Sequence, residues 1–314
     1  MNWCGNTFRT IFNFPTLTNN EMEQYIKKQL SEGYNENLND LFRKWKDSYE
    51  ADVRYLFCLD GLMVKYKDEN SGYDINGKWR DAERKIMFIV KDCPDEWGHD
   101  TRRLMTGYED NAESQKNALK TRTLKGQTGF FKNIARMLYG LWYMTEDNKG
   151  KELQEQICND ATIIQAFNDI PFAYVEGKKL AGGKSCSDSK LRKALERDGA
   201  FLVQEIDILR PNIIVCCDTS GIIFNHVVRK YFNGKIPDDE HKWEYRYTLE
   251  DKYCGFDCRL YYYEEEGVLL FHSYHPTRSR GKADWKIYER VLSPFRQFFA
   301  KYKSFGIVSS AAQK

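Results

Sequence analysis

KIMFIVKDCPDEW, residues 85 to 97, decides how this chain is read. Ile86, Met87, Phe88, Ile89 and Val90 form an unbroken apolar run of strand length, which is the pattern of a strand buried on both faces of a sheet. The run stops at Lys91-Asp92-Cys93-Pro94-Asp95-Glu96-Trp97, a sharp acidic turn. Three further runs repeat the pattern: PFAYV (171 to 175), NIIVCC (212 to 217) and VLLFHSY (268 to 274).

The stretches between these runs carry apolar residues at steps of three and four. They are FFKNIARMLYGLWYM from Phe130, SKLRKALERDGAFLVQEIDIL from Ser189, SGIIFNHVVRKYF from Ser220 and DWKIYERVLSPFRQFFAKY from Asp284, each read as an amphipathic helix. Alternating strands and helices predict a three-layer α/β/α fold around a four-stranded, mainly parallel sheet. EYRYTLEDKYCGFDCRLYYYEE (244 to 265) instead alternates aromatic and polar residues around Asp251 and Gly255, and is read as a small antiparallel hairpin inserted beside the last parallel strand.

Toward the amino terminus the spacing turns helical from Leu17 to Tyr66. Thr18 is a candidate cap, Met22, Tyr25, Ile26 and Leu30 share a face, and Leu38, Leu41, Phe42 and Trp45 resume it after Gly33. DENSGYDINGKW, residues 68 to 79, is rich in turn formers and reads as a junction. The expected organisation is a helical extension over 1 to 80 and an α/β domain over 81 to 314.

At 314 residues, 41% hydrophobic and 15% aromatic, the chain can bury a substantial core. Its 48 Lys+Arg and 46 Asp+Glu nearly cancel, so a surface for a polyanion has to be local. Residues 101 to 136 hold eight Lys/Arg against three acids, and residues 271 to 303 hold eight against two. Nine cysteines, at 4, 58, 93, 158, 186, 216, 217, 254 and 258, follow no even framework and no secretory leader, so reduced thiols in a cytosol are expected, serving as packing and not as metal ligands. No apolar stretch approaches the roughly 18 residues that a membrane crossing needs.

In parallel sheets, ligands gather at the carboxyl ends of strands, so the residues after each run carry the functional reading. The first run is followed by Asp92 and Cys93, the second by Glu176, Gly177, Lys178 and Lys179 and then AGGKSCSDS, and the last by His275-Pro276-Thr277-Arg278-Ser279-Arg280. These ends offer carboxylates, a histidine and cations.

In layout, residues 85 to 300 resemble the uracil-DNA glycosylase superfamily. KDCPD is similar to that family's Gly-Glu-Ala-Pro-Gly or Gly-Gln-Asp-Pro-Tyr turn, TGFFKNIARML to its aromatic-bearing helix start, EIDILRPNIIVCC to its Glu-Ile-x-x-Leu-x-Pro-x-Ile-Ile stretch, and HPTRS to its His-Pro-Ser turn. The resemblance implies hydrolysis of an N-glycosidic bond in DNA, leaving an abasic site, in repair or in defence against phage DNA. It makes Asp92, or failing that Asp95, the acid that positions water and steadies a positively charged sugar, where the plain alternative is a helix cap. It makes His275 the donor to the departing base. Phe130 becomes the face on which the flipped base stacks, with Cys93 and Glu176 also at the base and Phe131 turned into the core, where the plain alternative is core packing of both phenylalanines. Lys132, Arg136, Lys178, Lys179, Ser185 and Ser187 become candidates for phosphate contacts. Thr277, Arg278 and Arg280 fall in the loop that enters the minor groove in that family.

One position departs from the family. Where the family carries an asparagine that matches uracil, this chain has Glu176. An ionised carboxylate only accepts hydrogen bonds and is repelled by the O4 of uracil, whereas the exocyclic amine of cytosine donates to it; a protonated one can also donate to N3. The expected target is therefore a cytosine derivative such as a 5-substituted cytosine, with the N-terminal helices and the segment from 98 to 128 housing added bulk. No cofactor, metal, membrane or obligate protein partner is expected; the partner is DNA. The rival readings are an inactive nucleic-acid-binding module of the same fold and a small-molecule or nucleotide hydrolase.

Overall fold

The computed structural model describes residues 33–64, 74–93, 100–106, 129–183, 185–245, 258–276 and 287–306. In chain order the elements are α1 (Tyr34–Asp47), β1 (Gly61–Met63), α2 (Ile75–Arg80), β2 (Ile86–Asp92), α3 (Thr101–Thr106), α4 (Gly129–Tyr143), α5 (Lys151–Cys158), α6 (Asp160–Asp169) and β3 (Phe172–Lys178). There follow α7 (Asp188–Leu209), β4 (Ile213–Cys217), α8 (Ile222–Lys230), β5 (Lys242–Glu244), β6 (Arg259–Tyr263), β7 (Val268–Ser273) and α9 (Ile287–Lys301).

The four apolar runs form the centre of one sheet, whose order is β1-β3-β2-β4-β7-β6-β5. The pairs β3–β2, β2–β4 and β4–β7 are parallel. Among the described residues the sheet has seven strands and not four, because antiparallel neighbours extend it at both sides: β1 pairs with β3, β6 with β7, and β5 with β6. The expected hairpin thus joins the main sheet, with β6 directly beside the last parallel strand; residues 246 to 257 of that segment lie outside the described residues.

Alternation along each strand divides the core in two. Phe88, Val90, Phe172, Tyr174, Val215 and Phe271 face α4, α5, α6 and α9. Met87, Ile89, Ala173, Val175, Ile214 and Leu270 face α1, α2, α7 and α8. Helices therefore cover both faces of the sheet. Tyr34, Leu38, Phe42, Trp45 and Trp79 belong to the second of these clusters, so the described part of the N-terminal extension shares the core of the sheet.

Local chemistry sets the helix ends. Ser187 caps α7 by accepting from the Lys190 amide at 3.3 Å, and Asn159 caps α6 through the amides of Ala161 and Thr162. Arg84, only 3% exposed, closes the other end of α4 by donating to the carbonyls of Leu141, Trp142 and Met144 at 2.8 to 2.9 Å.

The strand order places the site. From β2 the chain moves outward to β3, then crosses to β4 on the other side of β2. Such a reversal opens a crevice at the carboxyl ends of the strands on either side of it. Among the described residues, no helix is long and apolar enough to cross a membrane.

Candidate functional site

Asp92 ends β2 and lies in register with Lys178 on β3, and the two side chains pair at 3.3 Å. Burial pushes the Asp92 carboxyl above its ordinary range, with Lys178 and then Lys91 pulling against it. Lys178 also donates to the carbonyl of Leu180, which fixes it beside the carboxylate.

Glu176 lies two residues back on β3, opposite Val90, and is fully buried. Its backbone amide donates to Asp60 at 2.6 Å, but neither carboxylate oxygen has a hydrogen-bond partner among the described residues. Burial drives its pKa well up, reinforced by Cys58 and Asp60 and opposed by Lys179. A carboxyl so placed is stable only if a proton or a cation neutralises it.

Two strands away from β2, β7 runs into Tyr274 and His275. The His275 ring stands 5.5 Å from the ring of Phe130 at 42°, and Phe130 in turn meets Tyr174 at 6.4 Å, edge to face. The Asn133 amide donates to the carbonyl of Pro276 at 2.8 Å, tying the His-Pro turn to α4. Burial, then the nearby charge of Lys91, pushes the His275 pKa down to about 4, so the imidazole is neutral at physiological pH. Phe130 is itself only 8% exposed and shares the core cluster of Phe131, which packs with Phe167.

The basic candidates fare differently. Lys179 is corrected: it is fully buried, pairs with Asp60 and with Glu205 at 2.9 Å, and lies over the rings of Phe42 and Trp45, so it cannot reach a phosphate. Lys132 and Arg136 both pair with Asp160, at 2.7 and 3.7 Å, and remain partly exposed. Ser185 is exposed, and Ser187 is exposed while serving as the α7 cap. Asp95, Thr277, Arg278 and Arg280 lie outside the described residues, as does most of the segment from 98 to 128.

No family model matches the chain, and no curated protein matches it either. The functional reading therefore rests on the geometry of these strand ends.

Two residues at this end of the sheet were not singled out from the sequence. Asp218 follows β4, is buried, and caps α8 by accepting from the Ile222 amide; burial raises its pKa to about 6. Its signal was present, since it directly follows the third apolar run. Cys58 is the other, and no local pattern marks it. Backbone bonds from the Cys58 amide to Lys179 at 2.8 Å and from the Ala181 amide to Leu56 at 2.7 Å bring it beside the end of β3. There the ligating atoms of Cys58, Cys93 and Glu176 all lie within 4.8 Å of one another.

Chemically, the strand ends and the start of α4 supply a partly screened carboxylate at Asp92, a neutral imidazole at His275, a largely buried aromatic ring at Phe130 and a fully buried carboxyl at Glu176. A carboxylate can stabilise positive charge and a neutral imidazole can donate to a centre of growing negative charge.

Proposed function

We propose that this protein is a DNA glycosylase acting on a flipped, cytosine-type base. The observation that carries the reading is the Phe130–His275 ring pair at 5.5 Å, in a protein whose neighbouring parallel strands β2 and β3 carry Asp92 and Glu176 toward their carboxyl ends. In the proposed reaction the C1′–N bond breaks and its electron pair leaves with the base. The neutral His275 donates a hydrogen bond to the oxygen where that charge gathers, as a preorganised dipole in a site shielded from water. Asp92 faces the positive sugar and orients the water that adds to C1′, taking up the proton that the water loses. Phe130 supplies the stacking face.

Glu176 sets the choice of base. Ionised, it only accepts, and so takes the exocyclic amine of cytosine. Neutral, its O–H and C=O match N3 and the amine of cytosine, or with their roles exchanged O4 and N3–H of uracil. Selectivity for cytosine therefore depends on the carboxyl being held ionised.

The test incubates the protein with duplex and single-stranded DNA carrying uracil, cytosine or 5-substituted cytosines, then cleaves abasic sites with alkali. Strand breaks on a cytosine-type substrate, lost in Asp92→Ala and His275→Ala, are the expected result. Binding without breaks on any substrate would overturn catalysis and leave a DNA-binding module.

A further inference from the structure

We propose that Cys58, Cys93 and Glu176 form a binding site for one divalent cation of the zinc type. The three residues come from three places in the chain: the segment before β1, the residue after β2, and the end of β3. Backbone hydrogen bonds anchor each of them, and the Cys58 and Cys93 thiols are also hydrogen-bonded to each other. The Cys58 amide donates to Lys179, the Gly182 amide to Cys93 at 3.2 Å, and the Glu176 amide to Asp60. All three side chains are completely buried.

Glu176 is the group in need of a partner. Burying a carboxyl with no hydrogen-bond donor for either oxygen is unfavourable unless something neutralises it. A proton removes the charge but leaves the group facing two thiols, which are weak hydrogen-bonding partners. One cation bonded to all three side chains satisfies the whole cluster, and it stabilises thiolate sulfurs as well as the carboxylate. A disulfide between Cys58 and Cys93 would use the sulfurs and still leave Glu176 unsatisfied.

The spacing fits. Zinc bonds of about 2.3 Å to sulfur and 2.0 Å to oxygen put ligands of a tetrahedral centre roughly 3.5 to 3.8 Å apart. Atoms that already lie within 4.8 Å of one another reach that arrangement with small side-chain rotations. Two sulfur ligands disfavour magnesium and calcium, and the mixed sulfur and carboxylate set suits zinc. The surroundings support the ligands too: Thr101 Oγ1 lies 3.1 Å from Cys58 Sγ, in place to donate to a thiolate, and Asp60 holds the backbone of Glu176. Three protein ligands leave a fourth position for water.

The site also bears on base choice, a consequence that rests on the glycosylase reading although the site itself does not. With one Glu176 oxygen on the ion, the carboxylate stays ionised and its other oxygen can only accept.

Because the ligands are buried, the ion is acquired as the chain folds. The full chain is therefore unfolded in denaturant with chelator and reductant, then refolded with zinc, with cobalt(II), or with neither. The expected result is uptake of one zinc per chain and, with cobalt, a thiolate-to-metal charge-transfer band together with the visible bands of a tetrahedral centre. Cys58→Ser and Glu176→Gln should each weaken binding more than tenfold, with far-ultraviolet circular dichroism reporting that they fold. Refolded wild type that takes up no zinc, or gives no thiolate band with cobalt, overturns the proposal without recourse to any variant. So does a cobalt spectrum unchanged in Cys58→Ser/Cys93→Ser. No DNA enters this experiment, so its outcome is independent of the excision assay.

Discussion

The His275 ring lies 5.5 Å from the Phe130 ring, on a turn whose Pro276 carbonyl is held by Asn133 of the same helix. The proposed donor to the leaving base and the proposed stacking face are thus mounted on one support. If the proposed reaction holds, removing the Phe130 ring takes away base stacking worth about 1–3 kcal/mol, together with the ring 5.5 Å from the imidazole. Phe130→Ala is expected to lower single-turnover excision by at least roughly tenfold. Phe130→Tyr, which keeps the ring, should retain most of the rate.

The pH profile of excision should be set by Asp92 and not by His275. With a pKa near 4, His275 stays neutral from about pH 5 upward and contributes no inflection near 6.5. Asp92 is raised by burial, so loss of the ionised acid should shape the acidic limb at a pH above that of an ordinary aspartate. Profiles of kcat/KM for wild type and Asp92→Asn check this: the acidic limb should disappear along with most of the activity in the variant.

Stability should respond to pH with two opposed contributions. His272, stacked on Phe224, and His275 both have pKa values lowered to about 4 by burial, so between about 4 and 6.5 the unfolded chain binds protons that the folded chain refuses. Their contribution is complete above 6.5 and is lost as the pH falls toward 4, on the order of 1–3 kcal/mol each. Asp218, raised to about 6, acts in the other direction, favouring the fold at low pH and losing that contribution as the pH rises through 6. Denaturant unfolding between pH 4 and 7 should show a shallower acid loss in His272→Gln than in wild type, and a steeper one in Asp218→Asn.

Lys179 should matter to the fold and not to DNA. Its ammonium joins Asp60 and Glu205, all three fully buried, so Lys179→Met leaves carboxylates without their cation. The expected loss of stability is about 3–5 kcal/mol. The salt dependence of DNA binding should be unchanged in variant protein that remains folded, since each phosphate contact contributes to that slope and Lys179 makes none.

Arg84 offers a test of the scaffold alone. Its guanidinium satisfies three carbonyls at the end of α4 and lies 4.7 Å from the Phe299 ring centre. Lysine cannot reproduce that fork, so Arg84→Lys should destabilise by about 2–3 kcal/mol in urea titrations.

The parallel strands were legible because Ile86 to Val90 and their counterparts are continuous apolar runs, a pattern that burial on both faces imposes. The strand β1 was not, since Gly61, Leu62 and Met63 are too few to show a period and become a strand only by pairing with Phe172 to Tyr174. Cys58 was hidden for the same reason: its partners Cys93 and Glu176 are brought to it by the sheet and not by the sequence around it. Lys178 and Lys179 look alike as neighbours, but consecutive residues at a strand end point to opposite sides, and one pairs with Asp92 at the crevice while the other is buried. That distinction was available from the pleat. Asp218 was available from its place after NIIVCC.

The crossing order of the sheet also governs the chain during synthesis. The strand β2 finds both of its neighbours, β3 and β4, only after long intervening segments have been made. At about 5–20 residues per second, Ile86 to Val90 wait for seconds with no partner on either side. A run of five apolar residues, unpaired for that long, is a natural grip for a holding chaperone and a point of self-association when none is at hand. The yield of this protein in a cell should accordingly be limited by the pace at which the ribosome delivers residues 172 to 217, even where the finished fold is stable.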